Sequence, residues 1–227
     1  MILITTEEEP RKQPEHQDVL TYEPVLIKFL RDEEAVKMLK DANYYPIIKI
    51  LRKGPMTVRE LEKAYGKEAA KSESCKPKSE KTIYRYLKAL EKADIVVPAG
   101  QRVVMGKTAT ETLFSRTARV FDFHGKEPAW WKSEKGEQSA RWISILLGRF
   151  YNNRELSIEC IQNFIIQFET AKEVEFKKLL ATADEEILEH ITAGEWYEMK
   201  ETLYYIEHLN LLLGQPDLLE RLRSCFK

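Results

Sequence analysis

The chain has 227 residues, 43% of them hydrophobic and 32% charged, with a net charge of -1. That balance supports a buried core beneath a charged surface and excludes disorder throughout, while nine Gly and nine Pro exclude collagen-like and low-complexity chains. The length favours two domains over one. Cys75, Cys160 and Cys225 lie far apart without C-x-x-C spacing. An odd number cannot pair completely within one chain, which argues against a secreted disulfide framework. Residues 1–4 are too short an apolar run for a signal-peptide core. The longest apolar stretch, 143–147, falls well short of the roughly 20 residues that a membrane span needs. A cytoplasmic protein without membrane contact is expected.

Residues 1–23 are polar, carry Pro10 and Pro14, and read as a flexible lead-in. From Pro24 the pattern is helical. Val36 and Leu39, then Ile47, Ile48, Ile50 and Leu51 past Pro46, form apolar stripes that stop at Gly54 and Pro55. Thr57 with Glu60 three residues on is a capping box, and Val58, Leu61 and Tyr65 follow on one face before Gly66 closes the helix. Residues 67–78 read as a charged loop or a frayed extension. Ser79 then caps a helix with Ile83, Leu87 and Leu90 inward and Lys81, Thr82, Tyr84, Arg85 and Lys88 outward. Residues 95–97 have strand character, Pro98, Ala99 and Gly100 turn, and 103–117 complete a β-hairpin with a long basic loop. A connector over 124–136 leads into helices over 138–151, 155–181, 184–193 and 195–213, and a short one follows Pro216. In the second of these, Ile158, Ile161, Ile165 and Phe168 repeat at coiled-coil-like spacing until Lys172.

Charge is segregated along this order. Residues 1–43 carry -4, residues 44–120 carry +9 and residues 121–227 carry -6. A basic middle between acidic flanks suits a DNA-binding module joined to an interaction domain. Helix, Gly-Pro stop, short helix, loop, amphipathic helix and basic hairpin is the order of a winged helix-turn-helix, whose last helix offers its outer face to the major groove. On that face Arg85 is suited to a bidentate contact with guanine, and Lys81 and Thr82 lie near base edges. Ser79, Tyr84 and Lys88 suit phosphates, and Arg102 and Lys107 extend the contact from the wing. Thr57, at the start of the preceding helix, completes the candidate DNA-binding set.

Residues 39–61, LKDANYYPIIKILRKGPMTVREL, with 81–93, KTIYRYLKALEKA, resemble the ArsR-like winged-helix transcriptional regulators of archaea. The resemblance covers about residues 24–121. It implies a dimeric repressor or activator on a partly palindromic operator. Two departures stand out: the stretch 66–78 is longer than the family's turn, and Asp94 replaces the usual Gly after the recognition helix. Asp tolerates the left-handed conformation better than most residues, so the cap is compatible.

The expectation is therefore a mainly α protein: a flexible segment 1–23, a winged helix-turn-helix 24–121, and a helical dimerisation or regulatory domain 122–227. Its partners are double-stranded DNA and a second copy, with Ile158, Ile161, Ile165 and Phe168 as the interface or, alternatively, packed within one subunit. The competing reading is a winged-helix subunit that binds protein partners with little DNA specificity. Trp130, Trp131, Trp142, Phe150 and Tyr151 line a small-molecule effector pocket or form core. No metal or other cofactor is expected, since the recognition helix lacks Cys and His. No nucleotide, zinc-protease or nucleophile-elbow motif points to an enzyme.

Overall fold

A computed structural model describes residues 16–71, 75–104, 109–123, 125–151, 155–193 and 196–226. The chain is mainly helical with two small sheets. Its compact units each draw on separated stretches: the first on residues up to Glu23 with Ala42–Arg116, the second on Pro24–Asp41 with Thr117–Lys227. Among the described residues no helix is long and apolar enough to cross a membrane.

In the first unit, β1 (His16–Leu20) pairs antiparallel with β3 (Val96–Val104), which pairs antiparallel with β4 (Thr110–Arg116). The end of the expected flexible lead-in is therefore a strand. All five of its residues are exposed, so backbone pairing to β3 and side-chain ion pairs hold it rather than a buried face. The three residues expected to turn, Pro98, Ala99 and Gly100, instead lie within β3 at a register shift. Gly100 has φ +146, and a Cβ there would collide with the Val19 carbonyl oxygen, so the close approach of β1 requires glycine.

Three helices complete this unit: α2 (Tyr45–Ile50), α3 (Val58–Ala69) and α4 (Glu80–Lys92), numbered after α1 (Glu33–Lys40) of the second unit. The capping box is formed as expected. The Glu60 amide donates to Thr57 Oγ1 at 3.3 Å, and the Thr57 amide donates to Glu60 Oε2 at 2.9 Å. Gly66 does not end α3, which runs on to Ala69 because Leu61, Tyr65 and Ala69 share a buried face. That burial outweighs the cost of about 1 kcal/mol for a helical glycine. Ile47, Leu61, Ile83, Leu87 and Leu90 are fully buried with Leu113 and Phe114. Met56 and Phe114 exchange backbone hydrogen bonds of 3.0 and 2.8 Å, tying the link before α3 to β4. Asp94 ends α4 in the left-handed region at φ +56, and the Ile95 amide donates to the Leu90 carbonyl.

The second unit begins with β2 (Val25–Phe29), where a helix was expected. It pairs in parallel with β5 (Ala118–Asp122). A short apolar run is a strand or a helix by pattern alone, and here a partner 93 residues on in the register decides it. This pairing is why residues 24–41 and 117–121 belong with the C-terminal helices rather than with α2–α4. Asp32 caps α1, accepting from the Ala35 amide at 2.9 Å. The helices α5 (Pro128–Trp131), α6 (Glu134–Phe150), α7 (Ile158–Ala181), α8 (Glu185–Ala193), α9 (Trp196–Gly214) and α10 (Leu218–Arg223) follow. The longer ones match the sequence expectation within a few residues.

Phe176, Leu180, Leu188 and Leu203 pack with Val120 into one core cluster, and Ala140, Leu156, Ile161 and Cys225 into another. Cys160 and Cys225 form a disulfide, and Cys75 is the remaining, buried thiol. Between α7, α9 and the small sheet lies a buried ionic group. Arg31 pairs with Asp122 at 3.2 Å and with Glu173 at 2.6 Å, while Lys172 lies 3.0 Å from Glu169 and 3.6 Å from Glu207.

Burial, reinforced by Asp122 and Glu169, pushes the Glu207 carboxyl up to about 8. Folded chains keep this proton where unfolded chains release it near 4.5. The group's contribution to stability is thus full at low pH and is lost as pH rises from 4.5 to about 8. Glu207→Gln cannot ionise. Its melting temperature is expected to match the wild type below about pH 4.5 and to exceed it by an amount that grows up to about pH 8. A difference between the two proteins that does not change with pH would count against this assignment.

Candidate nucleic-acid interface

The outer face of α4 is set by its period. Ile83, Leu87 and Leu90 point into the first unit's core, which turns Lys81, Tyr84, Arg85 and Lys88 to solvent. Lys81, Arg85 and Lys88 stand at i, i+4 and i+7, a single row along the helix. Ser79 is the N-cap residue by backbone conformation but its side chain makes no cap bond. Its hydroxyl lies 3.3 Å from that of the half-buried Thr82. Both hydroxyls sit at the helix start, where the Glu80 amide already donates to the Glu62 carboxylate at 3.2 Å and the Thr82 amide to the Ser79 carbonyl at 2.9 Å.

The cations on this face differ in how committed they are. Neither Lys81 nor Arg85 forms an ion pair among the described residues, and the Arg85 guanidinium lies 5.7 Å from the Tyr86 ring centre. Lys88 donates to Glu91 at 2.7 Å and lies 5.6 Å from the Tyr84 ring. Its hydrogen bond to Glu91 raises the Lys88 pKa above the ordinary value. Tyr84 is half exposed and meets Phe114 edge-on at 6.4 Å. The row is anchored to the core at that point while its polar ends stay in water.

Two expected contact residues are taken up elsewhere. Thr57 is 2% exposed, and its hydroxyl is consumed by the capping box and a 3.2 Å bond to Glu60. Arg102 does not project from the hairpin. Its Nε and Nη2 donate to Asp18 at 2.6 and 2.7 Å, and its Nη1 donates to Glu60. The paired Asp18 carboxylate holds the Arg102 pKa well above its usual range. A guanidinium clamped by two carboxylates has little left for a phosphate. Lys107 lies outside the described residues. Sequence reasoning also missed Arg59, 67% exposed, which lies 3.6 Å from Glu80 and 3.4 Å from Glu111 and so stands beside the start of α4.

The expected interface residues of α7 lie mostly inside their own unit. Ile161 is 1% exposed, and Ile158 and Ile165 pack against the same cluster. Phe168 meets Phe164 and His208. The alternative of packing within one subunit describes them, because α6 and α10 cover this face of α7. The aromatics considered for an effector pocket separate as well. Trp130 and Trp131 stack edge-on in α5 at 4.9 Å, whereas Trp142, Phe150 and Tyr151 are exposed. Among the described residues, no three His, Cys, Asp or Glu side chains are grouped to hold a metal ion. The chain matches no family model and no curated protein.

Proposed function

We propose that the protein is a sequence-specific regulator of transcription that binds double-stranded DNA through α4, with the first unit acting as a winged helix-turn-helix. One observation carries the reading. An amphipathic helix with a buried apolar face presents Lys81 and Arg85, unpaired among the described residues, beside Tyr84 and Lys88. The order of elements supports it: α2, α3 and α4 precede a hairpin that the Met56–Phe114 exchange joins to the link before α3. The resemblance to archaeal ArsR-like regulators points the same way and adds a homodimer on a two-fold operator. This reading puts the protein in the cytoplasm with its DNA. The Cys160–Cys225 disulfide does not favour that compartment, since disulfides are rare in cytosolic proteins.

Selection of bound fragments from sheared genomic DNA supplies the site, and titration against it tests the face. Arg85→Ala is expected to cost about 1–3 kcal/mol at a specific site, and Lys88→Ala to lower the salt slope by about one unit. If the double variant Arg85→Ala/Lys88→Ala binds as the wild type does, α4 is not the reading element. The second reading, a winged helix that docks protein partners, draws on the commitment of Arg102 to Asp18 and Glu60. It predicts only weak, salt-sensitive DNA binding and a co-purifying partner.

A further inference from the structure

The helix α6 is built the wrong way round for a helix that serves only its own subunit. Gly136, Ala140, Ser144 and Gly148, at four-residue intervals, are its buried residues. Ile143 and Leu147 pack beside them on the unit's own core, while three larger apolar side chains stand on the opposite side: Trp142 is 57% exposed, Leu146 65% and Phe150 78%. Ile145 extends the same strip at 36%, whereas Tyr151, past the helix end, turns to Phe226 and meets it edge-on at 5.7 Å. Trp142, Leu146 and Phe150 form one i±4 ridge, the row that interdigitates when two helices pack at about -50°.

We propose that this strip is the face on which two copies of the chain associate, α6 against α6 about a two-fold axis through the neighbourhood of Leu146. The area is of the right size. Taking about 150–250 Å² for each large side chain, the four side chains Trp142, Ile145, Leu146 and Phe150 expose roughly 500 Å². That is in the upper part of what a monomer leaves bare, and two copies facing each other would bury about 1,000 Å² together, the lower bound for a specific interface. A single straight ridge is also self-complementary, which an isologous two-fold contact requires. The small residues underneath fit the same arrangement. With Ile143 and Leu147 they seat α6 closely on its own unit and leave Trp142, Leu146 and Phe150 for the partner. A second exposed strip, Tyr205, Leu209, Leu212 and Leu213 on α9, is mainly leucine. Binding energy concentrates in Trp, Tyr and Arg, and the α6 strip carries Trp142 with Arg149 on the same face and Arg141 at its edge.

The proposal deepens the DNA-binding reading and rests on it only for the choice of a second copy as partner. Light scattering on the full chain, with Leu146→Glu, Trp142→Lys and Leu209→Glu variants at micromolar concentration, tests it. The wild type and Leu209→Glu are expected to be dimers, and Leu146→Glu and Trp142→Lys monomers with unchanged helical circular dichroism and melting temperature. A monomeric wild type, a dimer that survives both α6 substitutions, or one that Leu209→Glu dissociates would overturn it. Loss of helical signal in both α6 variants also counts against it, because a strip open to water in the protomer tolerates a charge. DNA affinity is measured separately. If the α6 variants dissociate and no form binds a specific duplex, the dimer face stands and the DNA reading falls.

Discussion

Replacing Arg31 with Met destabilises the second unit by about 3–5 kcal/mol, the usual cost of stranding a buried charge. Arg31 is held between Asp122 and Glu173. Its side chain is 8% exposed and that of Asp122 only 1%. Met fills much the same volume, so the loss reports the ion pair taken from the buried Asp122 carboxylate more than a cavity. Adding Asp122→Asn removes the buried negative charge that Arg31 balanced and is expected to return part of the stability. Chemical denaturation of the wild type, the single variant and the pair measures both steps. A loss below about 1 kcal/mol for Arg31→Met would mean that water reaches Asp122 and that the ion pair is effectively a surface one.

Opening the disulfide has a comparable effect by a different route. The bond joins Cys160 near the start of α7 to Cys225 beyond α10, across 65 residues. Closing a loop of that length limits the unfolded ensemble by about 4 kcal/mol in the chain-entropy account. The bond also ends in packed surroundings: the Ser157 amide donates to the Cys225 carbonyl at 3.2 Å, and Leu156 bridges to Phe226. Cys160→Ser/Cys225→Ser, and the wild type under reductant, are expected to unfold at clearly lower denaturant than the oxidised wild type. Coincident transitions for all three would remove the bond from any account of this unit's stability.

The candidate site was legible in part. The period of Ile83, Leu87 and Leu90 identified the outer face of α4, because a helix faces its core every three or four residues whatever it packs against. It placed Lys81, Tyr84, Arg85 and Lys88 outward, as found. The same reasoning erred at Thr57 and Arg102. For Thr57 the capping role was itself visible, and a hydroxyl spent on a helix start cannot also reach a phosphate. Nothing near Arg102 announced its partners, since Glu60 is 42 residues away and Asp18 is 84.

By itself the sequence determined what neighbours within about four positions decide. The capping box of α3, the stop at Gly54, the left-handed end of α4 at Asp94 and the spans of the C-terminal helices all rest on local backbone preference and the helical period. Only the tertiary structure decided the rest. It made strands of residues 16–20 and 25–29, sent residues 24–41 to the second unit, joined Cys160 to Cys225, and turned the apolar strip of α7 inward and that of α6 outward. An apolar strip records only that it needs covering. Which strip its own chain covers depends on contacts distant in sequence, whose free energy no local pattern carries.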